Sequence, residues 1–397
     1  MLINKRDETS HLSDKFGKKT QHVFVFLEIL EREGGIQSYV KDIFRAYTKL
    51  REPSKAEVFL LRDGAECENP FESEHLKFHY FKNQYPKLGR VKMAAALLKC
   101  LLQQRPQQVF CGHINLAVLV QTLCQPLGIP YTVLTYGKEV WEPLKSVERR
   151  ALASASGIWT ISRYSRDRAC VANNIDPKIV QMLPCAIDGD KFTPKDKQPE
   201  LIAKYNLTGA KVLMTVARLW SGDIYKGVDV TIRALPQIAQ VFPEVKYLVI
   251  GRGDDQPRLA QLALDLGVSS HVVFAGFVPT EQLIEHYRLA DAYIMPSQEG
   301  FGIVYLEAMA CGVPVLSGDD DGSADPLQDG KLGWRVPHRD HDAVAAACLE
   351  ILKGDDQRCD GEWLREQAIA IFGMEAFQQR LQQLSSRVNS QESLVNS

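Results

Sequence analysis

Two hydrophobic periods alternate along this chain. Short apolar runs rich in Val, Ile and aromatic residues are each followed by a longer stretch in which apolar residues recur every three or four positions. That alternation predicts parallel sheets wrapped by helices. In the first half, strands are predicted at 23–29 (VFVFLEI), 56–61 (AEVFLL), 76–81 (LKFHYF), 108–113 (QVFCGH), 130–136, 157–162 and 179–184. The second half repeats the scheme with KVLMTVA at 211–217, KYLVIG at 246–251, HVVFAG at 271–276, DAYIMP at 291–296 and VPVLSG at 313–318. Two doubly wound α/β domains are expected. The polar stretch at 187–199, IDGDKFTPKDKQP, carries two prolines and reads as the break between them. The predicted organisation is a flexible tail over 1–20, a first domain over 21–188, a linker over 189–199 and a second domain over 200–370. A C-terminal helix over 371–397 then packs back on the first domain and frays from about Ser385. Ligands of such sheets bind beyond the carboxyl ends of the strands, so two sheets facing one another enclose a cleft.

Length agrees, since 397 residues exceed what one core supports. The chain is 45% apolar or aromatic and 24% charged, which is ordinary for a folded protein. No apolar run approaches membrane length and the first twenty residues are polar, so a cytoplasmic location is expected. Nine scattered cysteines with no C-x-x-C pair predict buried thiols in place of disulfides or zinc. The net charge of -2 hides an asymmetry: residues 1–188 carry 27 Lys and Arg against 20 Asp and Glu, and the remainder 20 against 29. A basic first half suits an anionic surface or acceptor; nothing calls for nucleic acid. Within it, Lys87, Arg90, Lys92 and Lys99 punctuate the apolar pattern of residues 85–104. Two readings of this segment compete, a basic helix lying on an anionic membrane and a core-facing helix with a solvated charged face, and the second is preferred.

The most informative stretch is MPSQEGFGIVYLEAMACGVPVLSG, residues 295–318. A strand ends at Pro296, the turn Gly300-Phe301-Gly302 follows, and a helix starts near Ile303, whose free N–H groups and positive dipole end suit a phosphate. Glu299 and Glu307 are eight residues apart, which on a helix is roughly 12 Å. Both glycosidase arrangements hold their carboxyls closer than that, at about 5 to 9.5 Å. The two glutamates therefore touch different parts of one long ligand, and a nucleotide sugar laid across the helix start fits. Arg218 at a strand end and Lys226 beside Gly227 supply two fixed cations able to neutralise a diphosphate. IGRGDDQPRL, from residue 250, lacks the glycine spacing of a dinucleotide fingerprint, and its strand-turn-helix context suits a base pocket built from Gly251, Arg252, Phe277 and Val278. Gly34 and Gly35 stand between the first strand and helix, and His113 ends a strand. Lys138 and Glu139 follow the next one and are expected to face an acceptor. The run Asp319-Asp320-Asp321 could be mistaken for a metal-binding D-x-D.

Taken in order, Gly34-Gly35, His113, the Arg218–Gly227 stretch, IGRG at 250–253, AGFVPTEQL at 275–283 and the E-x7-E of Glu299 and Glu307 resemble the retaining glycosyltransferases of family 4, over roughly residues 22–380. The resemblance implies the GT-B fold, two Rossmann-like domains facing a central cleft. It places Glu299 on the transferred sugar, Glu307 on the ribose, Arg218 and Lys226 on the leaving diphosphate, and His113 near the reacting sugar. Gly34 and Gly35 approach the phosphates from across the cleft, beside Gly300, Phe301, Gly302 and Ile303. Asp325 stands where relatives carry a glutamate. The implied activity is hexose transfer from a nucleotide-diphosphate sugar, best matched by UDP-glucose or a related UDP-sugar. The expected acceptor is a cytoplasmic, lipid-linked saccharide of polysaccharide biosynthesis, met at the inner face of the membrane, and no metal or other cofactor is required. GDP-mannose is the rival donor. A UDP-sugar epimerase of the same fold and a non-catalytic nucleotide-sugar binder are the rival functions, and the joint presence of Glu299, Glu307, Arg218 and Lys226 argues against the last.

Overall fold

A computed structural model describes residues 21–50 and 55–395, with side chains up to residue 385; the tail expected over 1–20 lies outside the described residues. The first domain holds a seven-stranded sheet. Its strands are β1 (His22–Phe26), β2 (Ala56–Leu60), β3 (Leu76–Tyr80), β4 (Gln108–Cys111), β5 (Tyr131–Thr135), β6 (Gly157–Thr160) and β7 (Val180–Met182), in the order β3-β2-β1-β4-β5-β6-β7. The second domain holds six: β8 (Lys211–Val216), β9 (Val245–Ile250), β10 (Val272–Gly276), β11 (Ala292–Met295), β12 (Val315–Gly318) and β13 (Trp334–Val336), in the order β10-β9-β8-β11-β12-β13. Every pairing in both sheets is parallel. Parallel strands are covered on both faces, which is why β1 is buried at all five positions and reads as a continuous apolar run. β13 has no counterpart among the predicted strands: three residues with a partly exposed Arg335 at their centre carry too little pattern.

Each sheet reverses its winding once. The switch points fall between β1 and β4 in the first domain and between β8 and β11 in the second. At a switch point the loops leave neighbouring strands in opposite directions and open a crevice. The four loops concerned carry Gly34 and Gly35, His113, Arg218 with Lys226, and Glu299. Topology alone therefore gathers most of the chemistry.

The chain crosses between domains twice, side by side. Ile187 pairs with Gly373 as an isolated parallel bridge, and the Ile187 N–H donates to the Phe372 carbonyl at 2.8 Å. The segment after Ile187 is fastened to the second domain by two arginines. Arg288 donates to the carbonyl and hydroxyl of Thr193 at 2.7 and 2.8 Å, and Arg365 donates to the carbonyls of Gly189, Phe192 and Ala310. The helix Met374–Val395 lies against the helix Gly35–Thr48 of the first domain, with Phe377 edge-on to Tyr39 and Gln378 donating to the Lys49 carbonyl at 2.6 Å.

Candidate active site

A cavity of about 330 Å³ opens between the domains. Gly35, Tyr39 and Tyr136 line it from the first domain, and Lys226, Glu299 and the turn at Gly300–Gly302 from the second. Two helices begin at it, Gly35–Thr48 and Ile303–Ala310. The first N–H groups of a helix have no partner within it, so both starts present free donors and positive dipole ends to whatever fills the space.

The turn before Ile303 is made possible by its glycines. Gly302 has φ 89°, a left-handed conformation that a side chain would strain, and a Cβ there would run into the Tyr305 ring. Gly300 approaches the first domain so closely that a Cβ would lie 2.7 Å from the Tyr136 carbonyl. The loop is braced by Asp321. Its carboxylate accepts from the N–H of Glu299 at 2.6 Å and of Ser323 at 2.9 Å, and the Gly322 N–H donates to the Glu299 carbonyl at 2.8 Å. Burial pushes the Asp321 carboxyl up to about 6, against the pull of these donors. Both its oxygens accept from the backbone, which makes Asp321 a brace of this loop.

At the mouth of the cavity Lys226 Nζ lies 2.5 Å from Glu299 Oε1. Arg218 pairs in the same way with Asp223, at 2.5 Å, and the shared hydrogen bond holds the guanidinium pKa above its ordinary value. Asp223 is buried and Arg218 mostly exposed, so the carboxylate fixes the arginine while much of its guanidinium stays open to solvent. Two cations are therefore held in place before any anion arrives, as electrostatic preorganisation requires. Glu307 sits further along the helix Ile303–Ala310, with Tyr287 Oη donating to it at 2.6 Å. Burial dominates there and pushes its carboxyl up to about 7.

The base-pocket candidates meet at the carboxyl ends of β9 and β10. The Gly251 N–H donates to the Gly276 carbonyl at 2.9 Å, Arg252 lies over the Phe277 ring at 4.8 Å from its centroid, and Phe277 is exposed while Val278 is buried beneath. His113 caps the helix Ile114–Cys124: its Nδ1 accepts from the Asn115 N–H at 3.1 Å. Burial lowers its pKa, so the ring is neutral near pH 7 with its proton on Nε2, a donor aimed away from the cap.

Glu139, expected with Lys138 to face an acceptor, accepts through its Oε1 from the Tyr136 N–H at 2.5 Å, closing the loop after β5. Lys138 reaches across the cleft and places its ammonium 3.3 Å from the centroid of Tyr225, in the loop between Arg218 and Lys226. Asp325 is also occupied, by Arg163 of the first domain. The Arg163 N–H donates to it at 2.7 Å, its guanidinium completes the pair, and Asp329 takes the other guanidinium edge at 2.8 and 3.1 Å. Tyr225, Tyr287 and Arg163 were missed because each acquires its role from a partner distant in sequence, and Asp223 because its pairing with Arg218 depends on how the intervening loop folds. Asp321 alone left a local signal, the Asp-Gly-Ser of a short helical cap.

One further surface bears on function. The helix Pro86–Gln104 buries Gly89, Met93, Leu97, Cys100 and Leu101 on one face. On the opposite face Leu88, Val91, Ala95, Leu98 and Leu102 are exposed at successive spacings of three and four, continuing from an exposed Tyr85. Lys87 borders this apolar stripe on one side and Lys92 and Lys99 on the other, all exposed. The helix therefore faces the core and exposes its charged face, as the preferred reading has it, and that outer face also carries an apolar stripe.

Comparison with known proteins agrees with this geometry. The family model for glycosyl transferases group 1 matches residues 197–361. The GDP-mannose-dependent alpha-(1-6)-phosphatidylinositol monomannoside mannosyltransferase of Mycolicibacterium smegmatis is 31% identical over 340 residues, covering 81% of this chain and 86% of that protein. The GDP-mannose-dependent monoacylated alpha-(1-6)-phosphatidylinositol monomannoside mannosyltransferase of Corynebacterium glutamicum is 28% identical over 337 residues, with the same shares covered. Among solved structures, Anabaena Alr3699/HepE in complex with UDP superposes with a TM-score of 0.75 over 93% of this chain and 100% of that one, at 19% identity, which speaks to fold alone. With two facing doubly wound domains, a cleft at both switch points and relatives that span most of its length, the chain belongs to the group 1 glycosyltransferases of the GT-B fold and is a hexosyltransferase.

Proposed function

We propose that the protein is a retaining mannosyltransferase that takes mannose from GDP-mannose, without a metal ion, and delivers it to a lipid-anchored acceptor at an anionic membrane surface. The observation that carries the donor assignment is the 31% identity, over most of both chains, to a GDP-mannose-dependent enzyme acting on a phosphatidylinositol mannoside. The UDP-sugar expected from the sequence becomes the alternative outcome of the test.

In the reaction, the bond from the anomeric carbon to the β-phosphate oxygen breaks. The acceptor oxygen bonds to that carbon on the same face and passes its proton to the departing phosphate. The leaving group gathers negative charge, which Arg218, Lys226 and the start of the helix Ile303–Ala310 are positioned to compensate. Capture of the Lys226 ammonium by the diphosphate frees the Glu299 carboxylate for the sugar hydroxyls, while Glu307 receives the ribose. The commitment of Asp321 to backbone N–H groups supports the assignment of charge neutralisation to fixed protein cations. The membrane assignment rests on the exposed apolar stripe of the helix Pro86–Gln104 and its flanking lysines, the arrangement of an interfacial helix.

Incubation of the purified enzyme with labelled GDP-mannose or UDP-glucose and a lipid extract tests the assignment. Label entering the lipid fraction from GDP-mannose, in an α-linkage, is the expected result. Incorporation from UDP-glucose alone, or a β-linked product, contradicts it.

A further inference from the structure

Three cations gather at Tyr225, Lys138 and Lys226 over its ring and Arg218 at a side-chain hydrogen bond, and one of them is unaccounted for. Arg218 and Lys226 belong to the second domain and each is ion-paired, with Asp223 and Glu299 respectively. Lys138 comes from the first domain, at the start of the short helix Lys138–Trp141 that follows β5. Its ammonium lies 3.3 Å from the Tyr225 centroid, and that of Lys226 lies 5.3 Å from the same centroid. Among the described residues Lys138 forms no ion pair; the aromatic face is what holds it. A cation so held keeps its N–H donors available, because a π face attracts the charge without accepting a conventional hydrogen bond from each proton. The charged groups that face it are Asp223, Glu299, Lys226 and Arg218. Three cations against two carboxylates leave the corner net positive.

We propose that Lys138 is a third cation of the diphosphate site, supplied by the opposite domain, which grips the β-phosphate of the donor and so couples donor binding to closure of the cleft. This rests on the reading that the cleft binds a nucleotide-diphosphate sugar. A neutral acceptor hydroxyl leaves the excess positive charge uncompensated, whereas a diphosphate cancels it. The loop after β5 is built to aim the lysine there, with Glu139 closing onto the Tyr136 N–H and Gly137 beside Gly300 of the second domain. Partial burial already holds the Lys138 pKa below that of a free lysine, and an adjoining anion relieves that cost.

The test is calorimetric titration of GDP and GMP into wild type, Lys138→Met and Lys138→Arg. The two nucleotides share base, ribose and α-phosphate, so only a contact to the β-phosphate separates them. Lys138→Met is expected to weaken GDP by about tenfold, the scale of one lost charge-assisted hydrogen bond, while GMP affinity is unchanged. Lys138→Arg, which keeps the charge, should recover most of the GDP affinity. Equal losses for GDP and GMP overturn the proposal, because they signal a disturbed fold or cleft. Unchanged GDP affinity with a raised acceptor KM overturns it in favour of an acceptor role. A wild type that prefers UDP sinks the mannosyl-donor reading alone, and the UDP and UMP pair then makes the same comparison for Lys138.

Discussion

Lys226 and Glu299 neutralise one another, and on the proposed function their pairing ties donor binding to catalysis. A diphosphate competes for the ammonium, and its arrival turns a spent carboxylate into one free to face the sugar. Lys226→Ala should therefore lower kcat/KM by roughly a hundredfold, the scale of removing one preorganised charge-stabilising group. Lys226→Arg should restore only part, since a planar fork does not replace a compact ammonium; steady-state kinetics near wild type for the alanine variant would exclude the role. Glu307 offers a second test. Its carboxyl has been pushed up to about 7 from an ordinary 4.5, so the folded state favours the neutral form. The contribution is fully present below pH 4.5 and is lost as pH rises through 7. Glu307→Gln cannot ionise, so its melting temperature should gain on wild type between pH 5 and pH 8, by a difference on the order of 1–3 kcal/mol. A gap that does not change with pH contradicts the buried-carboxyl assignment. The placement of both glutamates about a glycine turn and helix start was legible in the sequence, whereas the loop-closing bond of Glu139 was not. The same residue type at a strand end can face a ligand or close its own loop, and only the position of the Tyr136 N–H decides which.

At the scale of elements, the helix Pro86–Gln104 explains how a clear feature escapes a periodicity argument. Its buried and exposed apolar stripes lie on opposite faces, so they cancel as a single-sided pattern and leave the basic residues as the visible signal. Val91→Glu combined with Leu98→Glu should reduce sedimentation with anionic vesicles several-fold at low salt and leave the melting temperature unchanged, since both side chains already face solvent. Equal vesicle binding by the variant would remove the membrane role from this helix. The helix start at Ile303 was legible because the glycines before it are punctuation that few other structures need. β13 was not, because a three-residue edge strand owes its existence to pairing with β12.

At the scale of the molecule, the alternation of periods specifies two parallel sheets, and the sheet orders then create two switch points whose loops carry the site. What no local pattern carries is the contact between domains. Arg163 bridging to Asp325 and Asp329, Lys138 over Tyr225 and Gly300 against Tyr136 exist only once the domains face each other. These contacts make the cleft a shared site, in which the second domain supplies the paired cations and the first domain completes the enclosure. On the proposed function, this enclosure binds a guanosine diphosphate donor through fixed cations alone. Calorimetric titration of GDP and UDP into the wild-type protein in the presence of EDTA tests it most directly. GDP should bind at least about tenfold tighter than UDP, a difference of roughly 1.4 kcal/mol, with no loss on chelation. Tighter binding of UDP, or GDP binding that disappears in EDTA and returns with magnesium or manganese, would overturn the assignment of a metal-free guanosine diphosphate site.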